Sequence, residues 1–141
     1  MKMEYTVNVI RGWPNGSALD RAEPIKSGVT LNCGDWVQKQ SDNTVDLSTS
    51  TKANNCGLVI RGNGDSSSGA YTGKATVLWS NFIAQVSNYD GTGTYAPGTA
   101  LTVKSGKLIN GVVGTDPIIG HVLDVVAVSA TQTAHLVVKI N

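Results

Sequence analysis

From Ile25 onward the chain is a succession of short apolar runs separated by turn residues: "VTLNCGDWV", "TVDLST", "CGLVIRG", "ATVLWSNFIAQVSNY", "ALTVKSGKL", "IIGHVLDVVAV" and "HLVVKI". Apolar and polar positions alternate in most of them, and no stretch with the 3.6-residue helical period outlasts them. Several short strands at this spacing predict an all-β fold, a small β-barrel or a β-sandwich. In "YAPGTALTVKSGKL" the residues Leu101 and Val103 alternate with Thr102 and Lys104, and Ser105-Gly106 is a two-residue turn. That turn sets Val103 opposite Leu108 and Lys104 opposite Lys107, one face for burial and one for water or a partner.

Three runs carry further detail. In "ATVLWSNFIAQV" the apolar parity changes from Ala75, Val77 and Trp79 to Phe82, Ala84 and Val86, which predicts a bulge or bend near Ser80-Asn81 that keeps one face inward. Both parities are apolar in "IIGHVLDVVAV", which predicts a central strand over 118–128 covered on both sides, with Gly120 at a close backbone approach. "HLVVKI" keeps Leu136, Val138 and Ile140 on one face, as expected nearer an edge.

The first 26 residues stand apart. "EYTVNVIRGW" alternates like a strand, but the Pro- and Gly-containing stretch up to Lys26 sets it off from the main strand series. It reads as an N-terminal arm or an edge segment, residues 1–26, preceding a β-rich domain over 27–141. As an edge segment it folds onto the domain; as an extended N-terminal arm it lies on a neighbouring subunit, with an exposed Trp13 and a free strand edge as anchors.

Composition narrows the function. At 141 residues and a net charge of +1 the chain suits one domain and gives no electrostatic case for nucleic acid or an anionic membrane. The start has no apolar signal core, and the longest apolar run is interrupted by His121 and Asp124, so the expectation is a soluble protein made in the cytoplasm. Cys33 and Cys56 have neither CxxC spacing nor a neighbouring histidine, so buried free thiols and no metal site are expected, with a single disulfide between them as the alternative in an oxidising medium.

Catalytic chemistry finds no foothold. "RGNGDSSSGAYTGKAT" imitates a phosphate loop, yet Gly69 and Gly73 enclose three residues instead of four and Lys74 is followed by Ala75, so it reads as a mobile surface loop. The only bases for neutral pH are His121, inside an apolar run, and His135, near the end. The acidic residues lie mostly in turns such as Gly34-Asp35, Gly64-Asp65 and Asp90-Gly91, where Asp serves the backbone. Asn15-Gly16-Ser17 reads as a turn. The expectation is no enzyme, no catalytic residues and no cofactor.

The stretch "PGTALTVKSGKLINGVVGTDPIIGHVLDVVAVSATQTAHLVVKIN", together with "GVTLNCGDWV" and "GLVIRGNGD", resembles the capsid decoration, or cement, proteins of tailed bacteriophages. The likeness covers roughly residues 25–141; the serine-rich loop at Asp65–Ser68 and Trp79 depart from the small decoration proteins. The resemblance implies a β-rich structural virion protein, commonly a homotrimer, on the outer surface of the capsid. Its partners would be the major capsid protein and its own copies, with no direct contact to nucleic acid or membrane. Within that reading Tyr5, Val7, Val9, Arg11 and Trp13 are the expected capsid or subunit contacts. The other class of function is a non-catalytic carbohydrate-binding or host-adhesion β-sandwich, with Trp13, Trp36 or Trp79 as stacking platforms.

Overall fold

A computed structural model describes residues 7–12, 19–65, 73–127, 129 and 134–141. The described residues form eleven strands and no helix: β1 Val7–Gly12, β2 Leu19–Pro24, β3 Trp36–Lys39, β4 Val45–Leu47, β5 Cys56–Arg61, β6 Lys74–Ser80, β7 Phe82–Val86, β8 Ala100–Lys104, β9 Lys107–Asn110, β10 Gly120–Val126 and β11 His135–Ile140. Two antiparallel sheets result, one ordered β1-β7-β11-β10-β8-β9 and the other β2-β6-β5-β3-β4. Of the two all-β alternatives this is the sandwich.

Asn81 decides how the chain passes between the sheets. Its φ of 61° turns the backbone between β6, in the five-stranded sheet, and β7, in the six-stranded one. The parity change therefore marks a bend, as expected, but not one that keeps a single face inward. Ala75 and Val77 enter a small core with Ile25, Leu31, Val37, Val45 and Val59, whereas Phe82, Ala84 and Val86 enter the main core. The main core joins Trp36, Leu58 and Leu78 of one sheet to Leu101, Val103, Leu108, Leu136 and Val138 of the other. The five-stranded sheet is thus covered on both faces, which is why "DWV" and "GLVI" are apolar at successive positions.

That sheet curls over its small core until its two edges meet. Ile25, just past β2, forms a parallel bridge with Val45 of β4, and Lys26 N–H donates to the Val45 carbonyl at 3.0 Å. The Lys26–Asp46 pair at 3.7 Å and the Glu23–Lys39 ion pair span the same seam. One bridge is not a ladder, and the sheet stays open.

Within the first 26 residues, the two described strands pair with strands of the same chain. β1 pairs with β7 from Val7↔Val86 to Gly12↔Phe82, and β2 pairs with β6 from Leu19↔Ser80 to Pro24↔Lys74. Because β6 and β7 are consecutive, β1 and β2 together run antiparallel to them as one ribbon that serves both sheets.

The β8–β9 hairpin has the expected register, Val103↔Leu108 and Lys104↔Lys107, with φ of 51° at Ser105 and 75° at Gly106. This is the mirror-image turn that a right-twisted hairpin favours. Val103 and Leu108 are buried and both lysines exposed, but Thr102 is buried too, because Ala53 bridges Val103 and covers that side. The turn itself is pinned to the other sheet. Buried Asn88 donates through Nδ2 to the carbonyls of Gly34 at 2.8 Å and Gly106 at 2.9 Å, and Ser105 N–H donates to Thr49 O at 2.7 Å.

Two strand expectations need correction. β10 is internal, but β8 pairs only with Gly120 and His121, so Leu123, Asp124 and Val125 beyond that point are exposed, and a bulge follows Val122. Val128 lies outside the described residues. Gly120 does sit at a close approach: a Cβ there would lie 2.1 Å from the Lys139 carbonyl oxygen. β11 buries Leu136, Val138 and Ile140 as expected, yet it lies between β7 and β10 and is no edge strand.

Candidate interaction surface

Several of the acidic side chains are occupied in holding loops. Asp42 accepts from Thr44 N–H at 3.0 Å and Thr44 Oγ1 at 2.6 Å, and Asp90 repeats the motif with Thr92 N–H at 3.0 Å and Oγ1 at 2.7 Å. These bonds hold both carboxyls below the usual range. Asp35 accepts from Asn32 N–H at 2.8 Å, and Asp65 accepts from the N–H groups of Cys33 and Gly62 at 3.1 and 2.6 Å. The turn reading of these aspartates agrees with the geometry.

His121 and His135 sit at opposite ends of the β10–β11 ladder, opposite Lys139 and Val126 respectively, and do not converge. Both cysteines are free thiols. Burial pushes the Cys56 thiol up to about 11; Cys33 is raised by burial first and the Asp65 carboxylate second. Among the described residues no three His, Cys, Asp or Glu side chains are grouped to hold a metal ion, and no helix is long and apolar enough to cross a membrane.

Among the described residues no tryptophan forms an open platform. Trp36 is completely buried, Trp79 packs half-buried against the small core, and Trp13 lies outside the described residues. Tyr89 and Tyr95 meet edge to face, with ring centroids 5.2 Å apart and planes at 81°, and the Tyr95 hydroxyl donates to the Asp90 carbonyl. Burial raises that phenol to about 12.

What is open is an edge. β1 ends the six-stranded sheet, so one of its two backbone edges has no strand beside it among the described residues. Of the expected contact residues, Tyr5 and Trp13 lie outside the described residues, as do the expected turn Asn15-Gly16-Ser17 and residues 66–72. Val7, Val9 and Arg11 pair with Val86, Ala84 and Ile83, with a bulge between Val9 and Arg11. Val7 is packed against the main core of its own domain, so at that position β1 offers a partner its backbone and not its side chain. Beside the end of β1, where Gly12 pairs with Phe82, lies an open groove of about 380 Å³ with Ile83, Leu123, Ile140 and Lys139 in its lining.

Sequence reasoning passed over one feature, the turn between β9 and β10. Val112 and Val113 are 57% and 77% exposed, the two most exposed large apolar side chains among the described residues. Asp116 fastens this turn: its carboxylate accepts from Val112 N–H and from Lys52 Nζ, both at 2.8 Å, and its own N–H donates to Val112 O at 2.8 Å. The signal in the sequence was a pair of apolar residues between two glycines, Gly111 and Gly114, with no polar partner to explain them. Compared with protein-family models and with curated proteins, the chain finds no match.

Proposed function

We propose that this chain is a structural virion protein that decorates the outside of a tailed-phage capsid and holds neighbouring major capsid subunits together, acting as a homotrimer. The observation that carries this reading is the open backbone edge of β1 on a two-sheet sandwich, beside which Asp35, Asp42, Asp65, Asp90 and Asp116 hold turns and loops. A strand edge recognises another chain through backbone hydrogen bonds, with no reactive group needed. Repetition over a shell converts a modest contact into firm attachment. The resemblance in the C-terminal half supports the same assignment. Of the platforms that a carbohydrate-binding module would use, Trp36 has no open face and Trp79 is half-buried, while Trp13 lies outside the described residues.

The deciding experiment mixes the purified protein with expanded phage capsids that lack it and follows cosedimentation. Saturable binding at a fixed ratio to the major capsid protein, with shells more resistant to heat, is the expected result. Absence of binding to the capsids of the phage that encodes the protein would overturn the proposal. Light scattering on the free and shell-bound forms tests the trimer.

A further inference from the structure

We propose, on the fold alone and independently of the decoration reading, that the curled five-stranded sheet carries a latch. The Glu23–Lys39 ion pair holds β2 against β4, and when it parts the seam opens as a unit while the six-stranded sheet stays folded.

The seam is poor in backbone pairing. Within the sheet β3 matches β4 over three residue pairs and β2 matches β6 over six, whereas among the described residues a single bridge, Ile25 with Val45, joins β2 to β4. Lys26 N–H crosses it to the Val45 carbonyl, but Ile25 N–H turns the other way and donates to Gly73 O at 2.9 Å, before β6. On β4, Leu47 N–H is taken by the neighbouring Asp46 Oδ1 at 2.7 Å.

Side chains supply the rest of the closure, and the two ion pairs differ in kind. Lys26 and Asp46 meet at 3.7 Å on the outside, where solvent screening leaves such a pair worth little. Glu23 and Lys39 meet on the inside. Glu23 shares the face of Ile25, Lys39 shares the face of Val37, and Ile25 and Val37 both belong to the small core. The Glu23 side chain is only 2% exposed. A carboxylate buried there and left short of positive charge must reach water. The weak side is the seam, because on its other flank β2 is held to β6 from Leu19 to Pro24.

Parting there leaves β2 on β6 and β4 on β3, so it gives up one bridge and the burial of Ile25, not a ladder. The small core then meets water, and β4 becomes a second unpaired strand edge.

Native-state hydrogen exchange of the full chain, read amide by amide by NMR, tests the latch. Lys39→Met should speed exchange at the amide of residue 26 by roughly a hundredfold, the effect of a buried charge deprived of a partner. Two reference amides should change by less than about threefold: Val59, bonded to Asp35 O in the same sheet, and Ile119, bonded to Leu101 O in the other. Lys39→Arg, which keeps the charge, and Lys26→Met, which removes only the outer pair, should each stay within about fivefold of the wild type at residue 26. If Lys39→Met speeds all three amides alike, or does not fold, the pair supports the whole domain and the latch is overturned. An unchanged amide at residue 26 overturns it as well. If Lys26→Met has the larger effect, the outer pair closes the seam and the assignment to Glu23 and Lys39 is wrong. Shell binding by the wild type, which decides the decoration reading, is a separate measurement.

Discussion

Asn88 is the most informative single position for testing how the two sheets are joined. Its amide donates to Gly34 O, in the loop before β3, and to Gly106 O, in the β8–β9 turn, and only 2% of the residue is exposed. Asn88→Ala removes both bonds and leaves the Gly34 carbonyl buried among groups that cannot replace the donor. Each intramolecular bond is worth about 1 kcal/mol net, and an orphaned buried acceptor costs about 1–3 kcal/mol. A loss of roughly 2–4 kcal/mol follows, read as a shift in urea midpoint at constant slope. Asn88→Asp separates the hydrogen-bond account from one of lost volume, since the side chain keeps its shape. An ionised carboxylate donates nothing and is costly to bury, so its folded pKa lies above the roughly 3.9 of a free Asp. With the folded value raised, the penalty is smallest below pH 4, where the carboxyl is protonated in both states and can donate one bond, and it grows as pH rises through the folded pKa. A penalty independent of pH, or an Asn88→Ala loss below about 0.5 kcal/mol, would refute this account of the joint.

Gly120→Ala should destabilise by several kcal/mol, about 3 or more, because its Cβ meets the Lys139 backbone and only separation of β10 from β11 makes room; chemical denaturation measures it. In the native protein at pH 8 a thiol reagent should leave Cys56 untouched and label Cys33 slowly, with two thiols per chain appearing on unfolding, and fewer than two would reveal a disulfide. Asp90 is held below its usual 3.8 by Thr92, and Asp116 by the Lys52 hydrogen bond and then Val112 N–H, so each stabilises the fold above that value and its contribution disappears as pH falls through the lowered one. Replacing Lys52 with Met should flatten part of the acid limb of a stability-against-pH curve.

Local features were legible in the sequence, and long-range ones were not. The β8–β9 register followed from two turn residues and the alternation around them, since everything that fixes a tight hairpin lies within ten residues. Thr102 broke the alternation because Ala53, 49 residues away, lies over it. The bend at Asn81 was visible as a change of parity, but its meaning depended on a second core that only the curled sheet creates. "IIGHVLDVVAV" read as covered on both sides, yet coverage belongs to neighbours, and β8 leaves β10 after His121. Of the candidate surface, the strand character of Val7, Val9 and Arg11 was readable while their pairing was not. The clamp between Lys52 and Asp116 had no trace in local sequence at all.

The ribbon formed by β1 and β2 has a consequence for synthesis. β1 and β2 leave the ribosome well before their strand partners among the described residues, β7 and β6, which follow roughly 50 to 80 residues later. Until then the edge is an unpaired, strand-forming segment with its backbone available to any other chain, including a second nascent copy. Closing so long a loop is entropically costly and slow. The last ladders to form should be those of the N-terminal ribbon, with the β8–β9 hairpin among the first. A chaperone that shields extended segments would raise the yield of folded protein without affecting its final stability.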